Sequence, residues 1–171
     1  MLFLGWQVAA RGVSHRPPGL LLGILDGANF IFHEAGHVLF IFFGELLQVL
    51  GGSLTQVAIP LACTVSFWWR RRHAAGAATL FWTGESTTHV AVYIADAAAM
   101  ALPLHGGPGV IHDWNYLLGW AGLVQWAPAL GQAVCGLGLL LIFGAIGLLA
   151  LELLRALGPP PHVAEAPVPP P

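Results

Sequence analysis

The residues best suited to chemistry are His33, Glu34 and His37, which stand together as HEAGH inside the apolar stretch GANFIFHEAGHVLF. On a helix, side chains four positions apart project from the same face, so His33 and His37 can offer two imidazoles to one ion. The ion expected is zinc, one per chain, with iron as the second choice. In HExxH hydrolases the Glu is a general base toward water that the metal has acidified, and this makes Glu34 the candidate catalytic residue. Ala35 and Gly36 are small enough to let a neighbouring helix or an extended peptide approach closely. Two histidines and a glutamate facing lipid would cost several kcal/mol, so a cluster of this kind inside a span is expected to face other helices and to serve a function.

Catalytic zinc normally takes three protein ligands and keeps a fourth position open, so a third ligand must come from another element. Glu85, His89 and Asp96 follow spacings of four and seven and therefore lie on one helical stripe. With a rise of about 1.5 Å per residue on parallel spans, His89 is level with HEAGH, Glu85 lies about a turn toward the cytoplasm and Asp96 about a turn beyond. Each can equally serve as an interhelical hydrogen-bonding group. His112 and Asp113 of the HDWN segment join the candidates if that segment folds back into the bundle. His15, His73, His105 and His162 fall in predicted loops or tails and receive no role, and Cys63 and Cys135 read as small hydrophobes.

The elements that must hold these residues are set by composition. Of 171 residues, 57% are hydrophobic and 8% are charged, against roughly 25% charged in an ordinary soluble domain; mean hydropathy is +0.75. The chain is expected to be an all-α, polytopic membrane protein of about four transmembrane helices plus a short interfacial or re-entrant helix. Residues 1–18 form an interfacial N-terminal segment without the features of a cleaved signal, residues 19–157 the transmembrane domain, and residues 158–171 a proline-rich disordered tail. Spans are expected from about Gly19 to Leu50, stopping at Gly51 and Gly52; from Ser53 to Trp69, kinked at Pro60; from Ala74 to Leu104; and from Leu130 to Leu154.

Arginine placement orients these spans. Arg11 and Arg16, the triplet Arg70 to Arg72, and Arg155 fall on one side after four crossings, which puts both termini in the cytoplasm. The net charge of -2, with no basic run interleaved with aromatics, excludes a nucleic-acid groove. Membrane lipids are then the expected surroundings.

With HEAGH inside a span, the sequence resembles the site-2 protease family of intramembrane zinc metalloproteases. That resemblance covers about a third of the chain. It implies cleavage of a transmembrane peptide substrate, His33 and His37 as zinc ligands, Glu34 as the base acting on metal-bound water, and Asp96 of YIADA as the third ligand. It also implies a bacterial inner membrane. The family's Asp usually precedes a glycine, which YIADAAAM lacks. A Leu25-Asp26-Gly27 occurs before HEAGH, but Asp26 lies about 10 Å along the helix from His33, too far to share an ion with both histidines. The combination of GANFIFHEAGHVLF, GGSLTQ, YIADA and HDWNYLL also resembles a set of uncharacterised bacterial multi-pass membrane proteins. Two further readings start from the same residues: a non-proteolytic metal protein, either a transporter or a metal oxidase-like bundle using Glu85 and His89, and an accessory subunit whose polar residues fix helix register.

Overall fold

The computed structural model describes residues 1–14, 19–102 and 111–157. The proline-rich tail, His15, Arg16 and His105 lie outside them. Among the described residues the protein is all-α, with no strand: α1 (Leu2–Arg11), α2 (Leu20–Leu39), α3 (Glu45–Trp69), α4 (His73–Asp96), α5 (Asp113–Trp120) and α6 (Ala127–Leu157). Short 3-10 turns at Ile41–Phe43 and Val124–Trp126 lead into α3 and α6.

The boundary between α2 and α3 differs from the sequence expectation. The chain reverses at Phe40 to Gly44 rather than at Gly51 and Gly52, and Gly44 adopts φ of +90°, a region open to glycine and costly for other residues. Gly51 and Gly52 lie buried in the second turn of α3, where the missing side chains let α3 press against α2. A Cβ on Gly36 would stand 2.2 Å from the Gly51 carbonyl oxygen, so the two backbones touch at HEAGH itself. Glycine here brings helices together instead of ending one.

α3 runs through Pro60 to the exposed arginine triplet, where Arg71 takes φ of +54° and the chain turns into α4. α4 lies between α3 and α6. Its contact with α6 is again made by small residues: Cβ atoms added at Gly84 or Gly138 would each come within 2.7 Å of the other's carbonyl oxygen. α4 is consequently the most buried helix, and it turns Thr83, Glu85, Ser86, Thr87 and Thr88 inward. It ends at Asp96 rather than continuing to Leu104, because the Asp96 carboxylate accepts from the backbone amides of Ala101 and Leu102 and folds the chain away.

Among the described residues two helices are long and apolar enough to cross a membrane, Glu45–Trp69 and Val124–Leu157, with mean hydropathies of 1.5 and 2.6. Many large apolar side chains on α2, α3 and α6 point outward, among them Ile24, Ile31, Val38, Leu61, Val65, Leu140 and Leu154. The bundle is thus apolar on its outside and unusually polar within. Val8, Leu22, Phe81 and Ile142 form one apolar core where α1 packs on the bundle, and Val90, Ile94, Leu118 and Ala127 form another beneath α5.

Candidate metal centre

His33 and His37 sit one turn apart on the face of α2 that meets α3, with ring centroids 4.7 Å apart and planes nearly perpendicular. Their Nε2 atoms converge on a single carboxylate oxygen, Asp113 Oδ2, at 2.9 Å from His33 and 3.2 Å from His37. The three residues offer ligand atoms all within 4.8 Å of one another, an arrangement that could hold a metal ion. In a tetrahedral site with bonds of about 2.0–2.1 Å, neighbouring donors are roughly 3.3 Å apart, so the two nitrogen-to-oxygen separations nearly match the edges of such a site.

The outer nitrogens determine which lone pairs are available. His37 Nδ1 lies 2.9 Å from the backbone carbonyl oxygen of Gln48, which can only accept, so Nδ1 carries a proton and Nε2 is the nitrogen left to donate to Asp113 when protonated or to ligate an ion when not. For His33 the same result comes from Gln56, which is 1% exposed. The Gln56 amide nitrogen donates to the Ser86 carbonyl oxygen at 3.3 Å, and this fixes the flip of the amide. Its Oε1 therefore faces His33 Nδ1 at 3.2 Å and accepts from it. Both imidazoles are held in the tautomer a metal requires by groups behind them, the usual second layer of a metal site. The same Gln56 nitrogen is 3.2 Å from His89 Nδ1.

Gly52 completes the cradle. A Cβ at this position would stand 2.6 Å from His37 Nε2 and 2.8 Å from His33 Nε2, so any side chain there would intrude between the two ligand atoms. The donors border a cavity of about 420 Å³ whose wall includes Glu34, Glu45, His89, Tyr93 and Trp114. Glu34 is exposed to this space beside the histidines.

Asp113 arrives through the short helix α5, and all four residues of HDWN are tied to other helices. His112 caps α5 by accepting from the Asn115 amide on Nδ1, and its Nε2 lies 3.3 Å from Asp96 Oδ2. Trp114 Nε1 donates to Ser53 Oγ at 3.1 Å, and Asn115 Nδ2 donates to the Ala97 carbonyl at 2.8 Å. These bonds clamp the start of α5 against α3 and α4, with Asp113 facing α2. Burial alone would push the Asp113 carboxyl up, but the bonds from His33 and His37 outweigh it and hold it at about 2.

The structure brings together His33, His37 and Asp113 of the residues singled out in the sequence, with Glu34 and His89 in the same cavity wall. It places Asp96 elsewhere, occupied by His112 and by the turn after α4. Asp96 thus orients the segment that carries Asp113. Glu85 is fully buried and bonded to Arg11 and Asn29, away from the histidines. The sequence alone assigns Gln56 no role and Gly52 only that of a helix stop. A lone glutamine within an apolar span was the available signal for the first, since polar groups at such positions need partners.

No family model, no curated protein and no solved structure matches this chain.

Proposed function

We propose that this protein is an integral membrane zinc metallopeptidase in which His33, His37 and Asp113 hold one zinc ion and Glu34 is the general base. The observation that carries this reading is the convergence of two imidazole Nε2 atoms on one Asp113 oxygen, each imidazole locked from behind by a group that can only accept. Three protein donors with an open side toward a cavity suit a catalytic site better than a closed structural one. Zinc in this position supplies Lewis acidity toward a peptide carbonyl and lowers the pKa of water. Glu34 takes the proton of the attacking water and delivers it to the departing amine, the task of the Glu in an HExxH sequence.

In this reading α2, α3, α4 and α6 are the four crossings, and α1 and α5 do not span. The arginines at Arg11, Arg70 to Arg72 and Arg155 then mark the cytoplasmic side, with both termini there, in a bacterial inner membrane. Supporting it, polar residues of α2 and α4 meet at Asn29 and Glu85, and large apolar side chains of α2, α3 and α6 face outward. The substrate class is an unwound transmembrane peptide that enters the cavity beside Glu34. A carboxylate-and-histidine oxidase site is less well supported, because Glu85, the second carboxylate it needs, is bonded to Arg11 and Asn29.

The test is Glu34→Gln in the detergent-purified protein, assayed for zinc content and for cleavage of a transmembrane peptide. Retained zinc with cleavage reduced by about 10²–10⁴-fold, the usual worth of a general base, is the expected result. Unchanged cleavage would rule out the assigned role of Glu34.

A further inference from the structure

A second buried polar cluster lies away from the metal centre, where α1 meets the bundle. Arg11 donates from Nη1 to Asp26 Oδ2 at 3.0 Å and from Nη2 to Glu85 Oε1 at 3.2 Å. Asn29 donates to the other Glu85 oxygen at 2.7 Å and is itself held by Trp82 Nε1. Glu85 is 0% exposed and Arg11 8%. Arg11 Nε and Asp26 Oδ1 are buried with no hydrogen-bonding partner. One guanidinium therefore faces two carboxylates, and among the described residues no other cation is paired with either acid.

Among the described residues the neighbouring groups do not correct this imbalance. α2 contributes Asp26 and the neutral Asn29, and α4 contributes Glu85 and, further along, the Tyr93 phenol. α6 brings the Cys135 thiol near Arg11, and α3 reaches the cluster only through Ser86, whose hydroxyl lies within bonding reach of both Asn29 Oδ1 and the Gln56 carbonyl. With both acids ionised, the cluster would hold an uncompensated negative charge inside an apolar bundle, which is strongly unfavourable. One proton removes that charge and supplies a donor for an acid oxygen that now lacks one.

We propose that Arg11, Asp26 and Glu85 form a proton-binding site in which the two acids share a single proton at neutral pH, balanced by one guanidinium. The site contains none of the residues assigned to zinc, so it stands or falls independently of the zinc reading. Buried contacts through Asn29, Ser86 and Gln56 run from it to His33.

The experiment is infrared spectroscopy of the full-length protein at neutral pH, reading the C=O stretch of a protonated carboxyl and its shift in D₂O. The wild type is expected to show this band. Glu85→Gln and Asp26→Asn are each expected to lose it, because with one acid neutralised Arg11 balances the other and no proton is needed. Absence of the band in the wild type overturns the proposal without requiring any variant to fold. Persistence of the band in either folded variant, checked by size-exclusion elution and helical circular dichroism, overturns it as well.

Discussion

Two polar clusters of this bundle share α2 but are built on opposite terms. At Arg11, Asp26 and Glu85, one cation meets two acids, Glu85 fully buried and Asp26 partly so, and the polar atoms point at one another. At His33, His37 and Asp113, the inner atoms point at a common centre beside a cavity, while the outer nitrogens are fixed by neutral groups. A buried ion pair holds helices in register whether or not anything binds. Side chains that converge on one point, with their outer nitrogens fixed from behind, are arranged as an ion would require. The difference teaches that burial and charge alone do not mark a candidate metal centre; the direction in which the donor atoms point does.

Substitutions can break this comparison by moving one property without the other. Arg11→Met leaves two buried acids without a counter-charge and is expected to destabilise the bundle by about 3 kcal/mol or more, read as a lower midpoint of thermal unfolding. Zinc stoichiometry in the fraction that remains folded is expected to be unchanged. Loss of zinc from that folded fraction would show that the clusters are one unit.

Gly52→Ala is the converse. It removes no ligand, but its methyl group enters the space between the two Nε2 atoms, and zinc affinity is expected to fall by at least ~100-fold with little change in unfolding midpoint. Full zinc affinity in this variant would move the ion away from the position between the histidines.

Gln56→Leu tests the support behind His33. Loss of the acceptor frees the imidazole tautomer, and zinc affinity is expected to drop by about 10–100-fold as measured by competition with a chelator. A smaller change still, about 1 kcal/mol of unfolding free energy, is expected for Asp96→Ala, which loses the bonds that end α4 and hold His112.

The pH dependence sharpens the assignment of ligands. The bonds from His33 and His37 hold the Asp113 carboxyl at about 2, so in the metal-free protein it stays ionised in mild acid. Zinc and protons compete for the two imidazole nitrogens, so zinc affinity is expected to fall as pH falls, with two protons taken up per ion released. A slope of three protons would mean that a carboxylate titrates in the same range.

Much of this could be read from the sequence where the determinants are local. HEAGH places two imidazoles on one helical face by spacing alone, and the low charge content called for helices with apolar exteriors. The third member of the cluster cannot be chosen that way. Asp96 and Asp113 are both candidates in the sequence, and what separates them is the docking of α5, which depends on contacts from His112, Asn115 and Trp114 to Asp96, Ala97 and Ser53, 16, 18 and 61 residues away. The span boundary failed for a related reason. Gly51-Gly52 and Gly44 look alike as helix breakers, and only the close approach of Gly36 shows that the pair belongs to an interface while Gly44 makes the turn.

The most direct test of the central claim is the metal content of the purified protein, measured by elemental mass spectrometry, beside Asp113→Ala, Asp96→Ala and a variant with His33 and His37 both changed to Ala. The account predicts about one zinc per chain in the wild type and in Asp96→Ala, and none above background in the other two. Zinc kept by Asp113→Ala and lost from Asp96→Ala would contradict it, as would a wild type that holds no metal after zinc is supplied.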